Sequence, residues 1–277
     1  MLRGLEISRQ LLTKSPLVGN DRHRALQLEL GHVERVQGRL NEAIASYEKT
    51  LRLTEEQFVR VKAGSPSSAY AYEGDRVMIQ TALAETHREN GNWRAAMQWL
   101  TSAIEALEAR QGVNESDEVL MRLTQALTTR AFVFSDDGNQ ERMNSDFSRA
   151  LSAAADYMRK SPDNRTAAHQ HAAIQSDWGA ALANAGHTDK AMSRYSAAKA
   201  EFEKLVKSYP NSVDVNTGHA MVLFRLAEQP NSGTTWDAVA DLVDDLKTRQ
   251  LLAPMECRCL EKAREFATVE KAKSKRK

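Results

Sequence analysis

The residues whose types could do chemistry are few and badly spaced for it. His169-Gln170-His171 and Cys257-Arg258-Cys259 are the nearest approaches to metal-ligand pairs. Helix positions two apart point about 200° from each other, so neither pair can close on one ion there. No His-Glu-x-x-His or Cys-x-x-Cys is present. His87-Arg88-Glu89-Asn90 comes close to the order of a phosphoryl-transfer catalytic loop, yet glutamate stands where that chemistry needs aspartate. It is accompanied by no glycine-rich phosphate loop, no Val-Ala-Ile-Lys strand and no Asp-Phe-Gly. Gly-x-Ser-x-Gly is also absent, and the 7 histidines are scattered. The chain is therefore expected to be no enzyme, with no cofactor and no metal.

What the chain is rich in is helix. Its 277 residues include only 13 Gly and 6 Pro, against averages of about 7% and 5%, and Ala, Leu, Glu, Gln, Arg and Lys fill the space. The 38 Lys+Arg nearly cancel the 37 Asp+Glu, so the global charge of a nucleic-acid binder is missing and no nucleic-acid partner is expected. No run approaches ~18 apolar residues, and charges interrupt the first ten, which argues against membrane insertion and a signal peptide and for a cytoplasmic protein. Two cysteines near one end give no disulfide framework.

Breakers this scarce act as punctuation. Gly38, Gly91, Gly138, Gly186 and Gly233 are 53, 47, 48 and 47 residues apart, and Pro16, Pro66, Pro162 and Pro210 step by 50, 96 and 48. The missing proline falls near Asn114. Five residues after each glycine come Ala43, Ala96, Met143, Ala191 and Ala238, and nine after it Tyr47, Leu100, Phe147, Tyr195 and Leu242. Seven before it stand Gly31, Ala84, Ala131 and Gly179. A small residue facing a large one at this period predicts two antiparallel helices, A and B, that approach closely, with tight turns at the glycine and the proline.

These residues resemble the tetratricopeptide repeat, W-x2-L-G-x2-Y followed by A-x3-F and then P. Gln27-x2-Leu30-Gly31 with Ala43-x3-Tyr47, Gln80-x2-Leu83-Ala84 with Ala96-x3-Leu100, and Gln175-x2-Trp178-Gly179 with Ala191-x3-Tyr195 carry the likeness. The third copy, Leu127-x2-Arg130-Ala131 with Met143-x3-Phe147, is weaker, and the fifth keeps only Ala238-x3-Leu242. The period is about 48 rather than 34, which lengthens each helix by roughly 10 Å. Long-period arrays of this kind resemble those found C-terminal to bacterial serine/threonine protein kinases. The resemblance implies an all-α fold, a right-handed α-solenoid of antiparallel helix pairs.

The expected organisation is a single solenoid over 1–270: a leading helix B at 1–15, repeats at 17–65, 67–113, 115–161, 163–209 and 211–250, a capping helix at 254–270, and a disordered basic tail at 271–277. Starting on a helix B reads as a chain begun mid-repeat or capped by an orphan helix. Tyr47, Phe134, Phe147, Trp178 and Tyr195 are expected to pack at repeat positions, whereas Phe132, Trp99, Tyr70 and Tyr72 fall off them and read either as contact residues or as extra core between repeats.

In tetratricopeptide arrays the A helices line a groove that binds a peptide or protein segment. The resemblance places His32, Arg35, Glu85, Arg88, Thr128, Phe132 and Ser176 on that groove and implies a non-catalytic interaction module whose partner is a protein or peptide. Leu28 and His32 stand where a carboxylate clamp needs Lys and Asn, so that specificity is not implied. Ala173, Ala180 and Ala183 would leave room for a partner helix in the fourth repeat. Two alternatives stay open: a ligand-responsive regulatory domain of a larger signalling protein, and an oligomerisation module acting through the terminal helices.

Overall fold

The computed structural model describes residues 16–64, 66–111, 116–253, 260 and 262–274. Among them the regular elements are all helices: α1 (Pro16–Val36), α2 (Leu40–Gly64), α3 (Pro66–Glu89), α4 (Trp93–Gln111), α5 (Asp117–Asp136), α6 (Gln140–Lys160), α7 (Arg165–Asn184), α8 (Thr188–Ser208), α9 (Val213–Ala227), α10 (Trp236–Thr248) and α11 (Lys262–Ser274). Odd-numbered helices up to α9 are the A helices and even-numbered ones the B helices. Two compact units form, Met1–Asp146 and Phe147–Lys277.

The five spaced glycines do what their spacing requires. Gly38, Gly91, Gly138, Gly186 and Gly233 have φ of 74°, 74°, 73°, 79° and 73°, a left-handed conformation that only glycine adopts cheaply. Four of them close the same Schellman motif on an A helix: Gly38 N–H donates to Arg35 O and Arg39 N–H to Glu34 O, and the bonds recur at Gly91, Gly138 and Gly186. The next helix starts two residues on, at Leu40, Trp93, Gln140 and Thr188. Asn92 and Asn139 cap theirs by accepting from Ala95 N–H and Arg142 N–H.

In the first and fourth pairs the small residue of helix A meets the large one of helix B. Ala43, Ala96, Met143 and Ala191 are fully buried, as are Tyr47, Leu100 and Phe147, with Tyr195 2% exposed. A Cβ on Gly31 would lie 2.7 Å from the Tyr47 ring, and one on Gly179 2.7 Å from the Tyr195 ring. Glycine thus accompanies tyrosine, whereas Ala84 accompanies Leu100: bulk on one helix is exchanged for bulk on the other. Phe147 also stacks on Trp178, with ring centroids 5.8 Å apart.

The A-helix position where tetratricopeptide repeats carry Trp is glutamine in three copies. Each is buried and tied to a B helix: Gln27 Nε2 donates to Ser46 Oγ, Gln80 Nε2 to Ser102 Oγ, and Gln175 Oε1 accepts from Arg194. The weak third copy is held another way. Arg130 makes two bonds to Asp146, at 2.6 and 2.9 Å, and Asp146 is 3% exposed.

The fifth copy departs from expectation. α10 starts three residues after Gly233 rather than two, capped by Thr235, so its inward face slips by one position. Val239 and Val243 are buried where Ala238 and Leu242 were expected, and Ala238 is exposed. α9 ends at Ala227, well before Gly233, and Asn231 (φ 61°) takes part in the longer turn. α11 runs to Ser274, so residues 271–274, expected in a disordered tail, are helical; Ala and Lys are good helix formers and no breaker intervenes. The expected leading helix at 1–15, the turn at Asn114, Cys257 and Cys259 lie outside the described residues.

Candidate functional site

Six of the seven groove residues expected from the sequence lie in unit 1, on α1, α3 and α5, and most of them hold one A helix to the next. Arg35 on α1 reaches two carboxylates of α3: its Nη1 donates to Glu85 at 2.5 Å and its Nη2 to Glu89 at 2.6 Å, with Nε adding bonds to Glu89. Burial works against the Arg35 charge, but the bond to Glu89 and the charge of Glu85 more than offset it, and its pKa is raised. Glu85 also accepts from Thr129 of α5. Arg88 on α3 donates to Asp136 of α5 at 2.5 Å while its guanidinium lies 5.0 Å from the Phe132 ring centroid. Towards the start of α1, Arg24 pairs with Asp75 and lies over Tyr72, whose hydroxyl donates to Asp21.

These ties span 44 to 54 residues, about one repeat each. Partly exposed pairs of this kind contribute about 0.2–1 kcal/mol apiece, but several in series fix the spacing of three helices. Three arginines, Arg24, Arg35 and Arg88, face five carboxylates, Asp21, Asp75, Glu85, Glu89 and Asp136. The A-helix face of unit 1 thus carries an acidic surplus.

The remaining expected residues sit differently. His32 is turned to its own repeat: its Nδ1 is 2.8 Å from the Tyr47 hydroxyl, and the rings meet edge to face. Thr128 is half-buried and returns a bond to Thr124 O. Ser176, in unit 2, is 3% exposed and accepts from Arg225, which also pairs with Asp177. Its hydroxyl therefore serves the junction of α7 with α9 rather than an open surface. Ala173, Ala180 and Ala183 are half-buried. Of the off-period aromatics, Trp99 packs against the Ala43, Tyr47 and Leu83 cluster, as extra core.

Burial pushes the Tyr47 hydroxyl up to about 12, against the pull of Arg35, and does the same to Tyr195. Both folded values lie above the ordinary value of 10.0, so the folded protein holds these protons more tightly than the unfolded chain. The stability they contribute is full below pH about 10 and is lost as the pH rises towards 12. Melting temperatures followed by circular dichroism should be flat from pH 8 to 9.5 with respect to these groups and fall steeply above 10, and substituting Tyr195 by phenylalanine should flatten that fall.

Histidines elsewhere make no reactive constellation. His169 Nε2 lies 3.2 Å from Asp214 O, and His171 Nδ1 lies 2.7 Å from Glu201 Oε2, so the two diverge as their spacing implies. Among the described residues no group of three His, Cys, Asp or Glu could hold a metal ion, and no helix is long and apolar enough to cross a membrane.

Each unit also carries a cavity. One of about 720 Å³ in unit 1 is an open cleft along α4, bordered by the end of α5 and the first turn of α6. The other, about 410 Å³ in unit 2, has Ala155, Met158, Ala168 and Leu205 as apolar walls, with His171, Glu201 and Lys204 converging on it.

Helix pairs with this internal signature decide the architecture. The fold is an α-solenoid of tetratricopeptide-like helix pairs. No protein-family model matches the sequence, and no curated protein does. Among solved structures, a Rap protein complexed with competence and sporulation factor aligns at TM-score 0.51 and 16% identity, over 92% of this chain and 72% of that one. A thermophilic TPR protein of Thermus thermophilus aligns at TM-score 0.49 and 15% identity, over 87% of this chain and 98% of that one. BtubC of P. vanneervenii gives 0.48 and 17%, over 84% and 87%.

Proposed function

We propose that the chain is a non-catalytic interaction module that binds a segment of a partner protein on the A-helix face of unit 1. The observation that carries this reading is the line of ion-paired but still solvent-accessible side chains from Arg35 through Glu85 and Glu89 to Arg88, Asp136 and Phe132. Such a line is rigid before binding, so docking costs little ordering. Its acidic surplus favours a partner segment that brings Lys or Arg, steering encounter and fixing register. The complex of the Rap protein with its factor lends support, as a helix-pair fold seen with a bound factor. The likeness of the long period to kinase-linked bacterial arrays extends the proposal to a cytoplasmic signalling role.

Affinity capture from the native cell, with mass spectrometry comparing the wild type and a Glu89→Gln/Asp136→Asn variant of unchanged circular dichroism, tests the reading, because these carboxylates are the groups that would receive the partner's Lys or Arg. Loss of at least about tenfold of a reproducible partner is expected, the scale of removing ion-paired contacts from an interface. A folded variant that retains the same partner in full overturns the placement.

The converging polar groups of the unit 2 cavity favour a second reading, a ligand-responsive regulatory domain. Under it, His171→Ala changes the captured partner set; under the first reading it does not.

A further inference from the structure

The larger cavity in unit 1 shares no residue with the A-helix face and is built for a different contact. Its walls are apolar at Met97, Val133 and Phe134. At its edge stands Trp93, the first residue of α4, with 43% of its surface exposed. An indole left that open at a cleft is amphipathic contact area of the kind interfaces use and cores do not.

We propose that this cleft docks an extended protein segment carrying an acidic residue at one end, apolar side chains in the middle and a basic residue at the other end. Charge sets the direction. Arg94 and Arg142 line the end where α4 and α6 begin; both are exposed, and among the described residues neither meets a carboxylate. Arg142 is held in place by lying 5.6 Å from the Phe134 ring centroid. Asp137 lines the same end, leaving a single net positive charge there. Glu105, also exposed, lines the cleft eleven residues further along α4 than Arg94. Eleven residues of helix span about 16 Å, which an extended chain covers in about five residues. The segment therefore meets the two arginines with its acid, lays its apolar side chains on Trp93, Met97 and Phe134, and reaches Glu105 with its base. This site is additional to the A-helix face.

Panning a phage-displayed random decapeptide library against the full chain tests it. The expected consensus has an acidic residue, then apolar residues, then Lys or Arg about five positions on. In fluorescence anisotropy with a synthetic consensus peptide, Trp93→Ala should weaken binding about tenfold or more, as for removal of a large aromatic contact. Panning against Arg94→Glu/Arg142→Glu should replace the acidic position by a basic one. Glu89→Gln/Asp136→Asn should leave the consensus and its affinity unchanged. The absence of any consensus, or one that survives the charge reversal, overturns the inference. A consensus lost in the Glu89/Asp136 variant instead also overturns it, while supporting the A-helix reading.

Discussion

Asp146→Ala is expected to destabilise the protein by about 3–5 kcal/mol, the cost of leaving one partner of a buried ion pair alone. Asp146 is 3% exposed and receives two bonds from Arg130, whose side chain is 14% exposed. Removing the carboxylate strands a guanidinium that has little water to turn to; it keeps only its place 5.9 Å from the Phe134 ring centroid. The other copies show that the charge is replaceable. Where the third repeat has Arg130, the first has Leu30, the second Leu83 and the fourth Trp178. An Arg130→Leu/Asp146→Ala variant should therefore recover most of the loss, since an apolar pair of similar volume is often as stable as a buried ion pair. Urea unfolding followed by circular dichroism reads both effects. A single variant costing under about 1 kcal/mol, the range of an exposed pair, would show that solvent reaches Arg130 and that the third copy is held by other means.

Gly179→Ala should cost about 1–3 kcal/mol, the range for an extra carbon forced into a packed core. Alanine in a helix interior gains up to about 1 kcal/mol over glycine, so the sign depends on the clash. The added Cβ would lie 2.7 Å from both Cδ1 and Cε1 of Tyr195, a ring 2% exposed and unable to retreat. Pairing the change with Tyr195→Leu reproduces the Ala84 and Leu100 arrangement of the second repeat, and should restore most of the stability. If Gly179→Ala alone raises the unfolding midpoint, the exchange of bulk between helices A and B is not what fixes this residue. Gly31 with Tyr47 offers the same experiment in unit 1.

The turns and the helix pairing were legible because both depend on local backbone geometry. A left-handed turn has to be glycine or bear strain, and Gln250, at φ 58°, is a non-glycine residue that bears it. Small-against-large packing repeats wherever the same two helices cross. The one-residue slip in the fifth copy escaped because the pattern Ala238-x3-Leu242 mimics the others while α10 starts one residue later after its glycine.

Of the candidate site, the sequence located the A-helix face but not the state of its side chains. Arg35 and Arg88 could be placed on the groove but not paired, because their partners lie about 50 residues away among many carboxylates of equal standing. One signal was available: opposite charges recur one period apart, as at Arg24 and Asp75, Arg88 and Asp136, and Asp177 and Arg225. Ser176 could not be distinguished from an exposed hydroxyl until Arg225 was seen to cover it. The glutamines at the tryptophan position were visible, but their bonds to Ser46, Ser102 and Arg194 were not.

By itself, then, the sequence determined the helical class, the ~48-residue period, the turn glycines and, in the first four copies, the small and large residues that pack inward, because each follows from the steric demands of nearby backbone. Only the tertiary structure decided which charges bind each other, that the third repeat rests on Arg130 and Asp146, and that Trp93 and two arginines without a carboxylate partner among the described residues share a cleft. Those outcomes depend on distances between side chains brought together from different helices, and such distances come into being only when the helices are packed.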